Sequence, residues 1–226
     1  MGNKEKIDTL IISDIHLGDE STRCNELMKL LDSYDFYRLI LNGDILDGLK
    51  FKRLHTEHWD ILSRFRELSK NVELVWVHGN HDAKSDILHR LLGINIYNKY
   101  IWESGGKKFM AIHGHQFDRF WNENFIISYM AYGFYSFVKW ADKSQVLAHL
   151  IKKYSSTWQR SSLEVAKGAL RLARLLKVGY VFCGHTHKIY QTEKKHVHYY
   201  NTGSWNEKPS GYIAIKDKTI ELKQIE

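Results

Sequence analysis

"IDTLIISDIHLG", residues 7–18, is a short run of β-favouring residues that ends on a carboxylate and an imidazole, Asp14 and His16. The same construction recurs down the chain. "FYRLILNGD" (36–44) ends on Asp44, and "VELVWVHGNHD" (72–82) on Asn80, His81 and Asp82. "KKFMAIHGH" (107–115) delivers His113 and His115, and "GYVFCGHTH" (179–187) delivers His185 and His187. Each run reads as a strand with polar, ligand-type residues just past its carboxyl end. In open α/β sheets that end is where ligands gather. Glycines at 43, 79, 114 and 184 let the backbone turn sharply there.

Between the first three runs lie segments of helical period. "RCNELMKLLDSY" (23–34) puts Leu27, Leu30 and Leu31 on one stripe, and a helix over about 54–69 repeats Trp59, Leu62, Phe65 and Leu68. A short helix is expected near 84–92. Strands alternating with helices imply βαβ units and a largely parallel sheet. In the second half, residues 117–177 contain no proline and read as helical. Strands then return at "HVHYYNTGS" (196–204), "GYIAIKD" (211–217) and "TIELKQI" (219–225), spaced like antiparallel hairpins. The expectation is one α/β domain over 1–226, carrying a helical insertion at about 117–177.

Composition narrows the class. The 226 residues are 43% hydrophobic and 26% charged, a soluble globular balance with enough chain for a sizeable core. No stretch approaches 18 uncharged apolar residues, so a spanning helix is not expected. The start, "MGNKEKIDTL", has no apolar signal region, and Lys6 breaks the myristoylation pattern. Two cysteines far apart, Cys24 and Cys183, make no disulfide framework, and Cys183 sits in an apolar run that suggests packing. The expected location is the cytoplasm. The net charge is +7, and the stretch from Lys143 to Lys177 holds eight basic residues against the single acid Glu164. Such a cluster can attract nucleic acid, anionic lipid or a phosphorylated substrate, or can be a solvated helix face.

Carboxylates, imidazoles and a side-chain amide together suit Mn²⁺, Fe or Zn²⁺ better than Ca²⁺ or a thiolate site. The donors outnumber what one tetrahedral structural zinc needs, and no cysteine pair is present to make one. Seven candidates around one shared carboxylate suit a two-metal centre, the arrangement that activates water and clamps the oxygens of an in-line displacement at phosphorus. Each motif alone is common. Five in order, each ending a strand, are specific.

As a set, DxH, GD, GNHD, a histidine-bearing fourth motif and GHxH, the chain from Asp14 to His187 resembles the calcineurin-like metallophosphoesterase superfamily. The resemblance implies a four-layer α/β/β/α sandwich and two divalent metals. It assigns one metal to Asp14, His16, Asp44 and His187, and the other to Asp44, Asn80, His113 and His185, with Asp44 bridging. It makes His81 the catalytic residue that stabilises the transition state or protonates the leaving oxygen, with Asp82 orienting it. Asn80, His81 and His115 are the candidate substrate contacts. "SDIHLG", the compact core and the insertion before the fifth motif further resemble the UDP-2,3-diacylglucosamine hydrolase group, in which UMP and a lipid 1-phosphate are released, usually with Mn²⁺. The best-known branch of that group carries Arg where this chain has His81.

The insertion is the expected determinant of substrate. Residues 117–143 hold ten aromatics, among them Phe117, Trp121 and Trp140, followed directly by the basic stretch. Aromatics beside cations suit an acyl pocket or peripheral contact with the inner face of a membrane. They also suit a helix packed on the core or on a second subunit. A nucleic-acid partner is not expected, and no feature sets an oligomeric state. The alternatives to a lipid-nucleotide hydrolase are a nuclease or cyclic-nucleotide phosphodiesterase of the same superfamily, and a non-catalytic scaffold such as its retromer subunit.

Overall fold

The computed structural model describes residues 4–48, 51–118 and 156–226. Eleven strands occupy Glu5–Ile12 (β1), Tyr34–Asn42 (β2), Glu73–Val77 (β3), Ile96–Tyr97 (β4), Tyr100–Ser104 (β5), Lys107–Ala111 (β6), Tyr180–Cys183 (β7), Ile189–Lys194 (β8), Val197–Thr202 (β9), Ser210–Lys216 (β10) and Thr219–Ile225 (β11) among the described residues. Helices are Cys24–Ser33 (α1), Thr56–Leu68 (α2), Ser85–Leu92 (α3) and Ser156–Leu175 (α4).

The strands form two sheets, ordered β11-β10-β1-β2-β3-β4 and β5-β6-β7-β9-β8. Strands β1 to β4 run parallel, as the βαβ rhythm predicts, and β10 joins β1 antiparallel. Beyond residue 179 the hairpins β8–β9 and β10–β11 are antiparallel, as is β5–β6 before it, but β7 pairs with β9 in parallel. The expected hairpin succession after residue 179 is therefore only partly realised, because β8 doubles back on the outside of β9.

Three apolar clusters separate four layers. The first packs α1 and α2 on one face of the first sheet, through Leu27, Leu31, Ile61 and Phe65 against Leu39, Leu41 and Trp76. The second lies between the sheets and includes Ile40, Val75, Val77, Phe109, Phe182 and Ile213. The third packs α4 on the second sheet through Val165, Ala169 and Ala173 against Met110, Val181 and Cys183. Alternation along the strands sorts side chains between layers. In β7, Phe182 faces the other sheet while Val181 and Cys183 face α4. Burial of each such side chain contributes about 1.5–3 kcal/mol relative to exposure.

Two expectations shift. The buried residues of α2 are His58, Ile61, Leu62 and Phe65, with Leu68 packed beside them, so of the expected stripe only Trp59 departs: it is exposed and stacks on Phe51. Helix α4, at the end of the expected insertion, is the outer layer of the sandwich, and its alanines allow a close approach to the sheet. Residues 119–155, with the aromatics from Phe120 to Trp140 and Lys143, Lys152 and Lys153, lie outside the described residues. Among the described residues no helix is long and apolar enough to cross a membrane.

Candidate metal centre

The five motif loops leave β1, β2, β3, β6 and β7 at their carboxyl ends, and these strands run parallel within each sheet. The two sheets thus present their ligand-bearing ends to one rim. Backbone bonds join neighbouring loops: Asp14 N–H donates to Gly43 O at 2.9 Å, His16 N–H to Asp44 O at 3.0 Å, and Gly184 N–H to His113 O at 3.0 Å. Further contacts cross between the sheets. Asn42 Nδ2 donates to Phe182 O at 3.2 Å, His113 Nδ1 lies 2.9 Å from Asn42 O, and His185 N–H donates to Asp14 Oδ1 at 2.9 Å.

The result is three clusters of donor atoms among the described residues, one of them His16, Asp47 and His81 at the outer edge of the site. Asp14, His16 and His187 bring one donor each within 4.8 Å of one another, and so do Asp44, His113 and His185. Asp44 stands between them, its Oδ2 lying 3.2 Å from His113 Nε2 and 4.0 Å from His16 Nε2. Its other oxygen accepts the His81 N–H at 2.8 Å. Asn80 Oδ1 is buried with no hydrogen-bond partner.

The backbone at these residues is strained. Asp14, His16, Asp44, His185 and His187 all have φ between 51° and 67°, the left-handed region that non-glycine residues rarely adopt. Strain of this kind costs on the order of 1–3 kcal/mol per residue and clusters at functional sites. Gly79 and Gly184 face the carboxylates of Asp44 and Asp14 so closely that any Cβ would collide with them.

Electrostatics agree with a centre built for cations. Burial pushes the Asp14 carboxyl up to about 7, opposed by His113 and assisted by the Asp44 charge. Asp44 is buried too, yet its contact with His113 holds it well below the usual carboxylate range. His113 itself is raised to about 10, because the two carboxylates outweigh its burial. Burial lowers His16 to about 4. Buried carboxylates packed among imidazoles are an unstable set alone, and divalent cations would stabilise the ionised acids and neutral rings together. With Asn80 Oδ1 buried and unpartnered, the donors fit a pair of such ions.

His81 is placed at the rim, part-exposed. Its Nδ1 lies 3.1 Å from Asp47 Oδ1, and Asp47 Oδ2 accepts from Arg53 Nη1 at 2.7 Å. Burial alone would lower the His81 pKa, but the Asp47 contact and the nearby Asp44 charge raise it. Asp82 is engaged differently from the expectation. Its oxygens accept from the N–H groups of Asp44, Ile45, Leu46 and Gly79 and from Trp76 Nε1, at 2.9–3.1 Å. A carboxylate so engaged fixes the loops after β2 and β3, and the carboxylate on His81 Nδ1 is Asp47. His115 lies beside His113 and His185, with ring centroids 5.5 and 6.3 Å away, and its Nδ1 is buried without a hydrogen-bond partner.

The profile of the Calcineurin-like phosphoesterase family matches residues 7–189. The chain belongs to the calcineurin-like phosphoesterase family. Solved structures agree on the fold. A single mutant of Vps29 from Entamoeba histolytica is 17% identical, with 96% of this chain and 97% of that one covered and a TM-score of 0.53. A novel archaeal phosphodiesterase is also 17% identical, covering 96% of this chain and 99% of that one at a TM-score of 0.51. No curated protein matches the chain.

Three carboxylates of this calcineurin-like phosphoesterase site escape a reading of motifs. Asp47 follows Asp44 by three residues in "GDILDG", a spacing that hints at a second acid on the same loop. Asp118, in "HGHQFD", lies 3.0 Å from His185 Nε2, and Glu207 lies 3.9 Å from His187 Nδ1. Asn201 and its neighbours Thr202 and Ser204 are buried props. Asn201 Nδ2 donates to Gly184 O at 2.6 Å and its Oδ1 accepts from Gly203 N–H at 3.0 Å.

Proposed function

We propose that this chain is a dinuclear metal-dependent phosphoesterase cleaving a phosphodiester or pyrophosphate bond. We further propose a lipid-linked nucleotide of the UDP-2,3-diacylglucosamine type as its substrate, giving UMP and a lipid 1-phosphate. The observation that carries the reaction class is Asp44, which stands where two donor clusters meet, each of them one acid with two histidines. Asp14, His16, Asp44 and His187 would hold one ion, and Asp44, Asn80, His113 and His185 the other. Mn²⁺ is the proposed metal, with Fe and Zn²⁺ as alternatives. Bound there, two divalent ions supply Lewis-acid polarisation of the phosphoryl oxygens and a water nucleophile at neutral pH.

The protein's own groups do the rest. Asp47 favours the protonated form of His81 and aims its ring, so that the imidazole N–H can donate to the oxygen that leaves phosphorus. Water adds to the α-phosphorus and loses a proton to solvent. The bond to the bridging oxygen breaks, that oxygen takes the proton from His81, and His81 regains one from solvent. Asp82 keeps the loops bearing Asp44 and His81 in register. His115, beside His113 and His185, is the proposed further contact for a substrate oxygen.

Charge supports the proposed membrane contact, at the end of the second sheet away from the rim, where Lys194 pairs with Val197 beside the start of β7. On α4, Lys167, Arg171 and Arg174 form one outward stripe, and with Lys194 they line a cavity of about 160 Å³. Like charges three and four residues apart on a helix are mutually unfavourable, so the stripe favours an anionic partner. The inner face of an anionic membrane would meet that need, and Leu163 and Leu175 are exposed on the same helix. Mass spectrometry of UMP released from UDP-2,3-diacylglucosamine with Mn²⁺, with Asp44→Ala as blank, tests the reading. Release supports it. Cleavage of bis-p-nitrophenyl phosphate alone would move the substrate elsewhere, and an inert loaded protein would overturn the reaction class.

A further inference from the structure

We infer that Asp118 is a positioning residue that fixes the tautomer and orientation of His185 for metal binding, with Ser161 of α4 holding it in place; this rests on the two-metal reading above. His185 Nε2 and Asp118 Oδ2 are 3.0 Å apart, and both side chains are buried. The Ser161 hydroxyl donates to the same Asp118 oxygen at 2.6 Å. An imidazole whose Nε2–H donates to a carboxylate carries its lone pair on Nδ1, the nitrogen then left for an ion. A carboxylate behind a metal-binding histidine raises its basicity and holds its ring, and removing such a partner weakens metal binding by about 10- to 100-fold.

His113 offers a control within the same cluster. Its Nδ1 meets the Asn42 carbonyl oxygen at 2.9 Å, which leaves Nε2 for the ion. His185 is backed instead by a side chain 67 residues away in sequence. Asp118 does not itself join the donor cluster of Asp44, His113 and His185. It also joins two distant pieces of chain at the site, since Ser161 lies 43 residues beyond it. The first turns of α4 are thereby tied to a metal ligand, on the side of the site facing the second sheet.

Calorimetric titration of Mn²⁺ into the metal-free protein tests this, using wild type, Asp118→Ala, Asp118→Asn and Ser161→Ala. Wild type should take up two ions. In Asp118→Ala one uptake step should weaken roughly 10- to 100-fold while the other stays put. Asp118→Asn, whose amide oxygen still accepts from Nε2–H, and Ser161→Ala should each lose only a few-fold. Nitrogen-15 NMR of the metal-free wild type should show His185 as the Nε2–H tautomer, a readout independent of turnover. Unchanged uptake in Asp118→Ala, or an equal weakening of both steps, would overturn the inference, as would an Nδ1–H tautomer. A wild type that takes up no ions would sink the two-metal reading itself, and the inference with it.

Discussion

The two sides of the rim are built by different devices. On the side of the first sheet, the loops after β1, β2 and β3 are joined main chain to main chain, and one buried carboxylate, Asp82, gathers four N–H groups of the loops after β2 and β3 and the indole N–H of Trp76 in β3. On the side of the second sheet, the loops after β6 and β7 share the Gly184 N–H to His113 O bond, but their ligands are held mainly by side chains. His113 leans on the Asn42 carbonyl, His185 on Asp118, and Asn201 supports Gly184. A main-chain network is part of folding. Side-chain contacts behind ligands act mainly on how well those ligands bind. Damage to the first side should therefore appear as lost stability, and damage to the second as lost metal affinity with the fold intact.

Asp44 lies where the two sides meet, so its loss should be the most severe. Asp44→Ala removes the shared ligand and should lower turnover by on the order of 10⁴-fold, with both ions lost on metal analysis. Retention of near-normal rate by that variant would break the assignment. His81→Ala should lower kcat by roughly 10²- to 10³-fold while leaving metal content unchanged, the mark of a lost proton donor. If the ions leave as well, His81 belongs to the ligand set and not to the proton transfer.

Asp82→Ala sharpens the contrast in the other direction. Five donors lose their acceptor, and urea unfolding should show a loss of about 3 kcal/mol before any metal is added. Were stability unchanged and only activity lost, Asp82 would be acting on His81 after all. The smallest effect lies away from the rim, where Arg38 and Tyr100 both bond Glu73. Burial would raise the Glu73 pKa, but these bonds outweigh it and lower it. A depressed folded-state value means the contact stabilises above the unfolded carboxylate pKa, near ~4.3, and the contribution fades as pH falls through the lower value. Because Glu73 is part-exposed, Glu73→Gln should cost about 0.5 kcal/mol or less at neutral pH, and nothing at strongly acidic pH.

The same contrast governs what could be read from the chain. Asp14, His16, Asp44, Asn80, His113, His185 and His187 are legible because each follows a strand whose last residues are apolar and buried on both faces. Such runs are local signals. Strands β4, β5 and β8 are not legible, and each is an edge strand. With one side open to solvent, "IYQTEK" at β8 carries Gln, Thr, Glu and Lys where an inner strand carries Val and Ile. Strand β11 is an edge too, yet it stays legible because Ile220 and Leu222 alternate into the cluster between the sheets. Asp47 and Asp118 escape for another reason. Their roles rest on contacts across 34 and 67 residues, which spacing along the chain does not encode. Asp82 was visible, but whether a carboxylate faces an imidazole or five N–H groups depends on packing alone.

The most direct test of the account is metal content. Protein purified without metal, loaded with Mn²⁺ and freed of excess, would be measured by inductively coupled plasma mass spectrometry beside Asp44→Ala. The account predicts about two ions per chain in wild type and none retained by the variant. One ion or none in wild type, or two in Asp44→Ala, would contradict it.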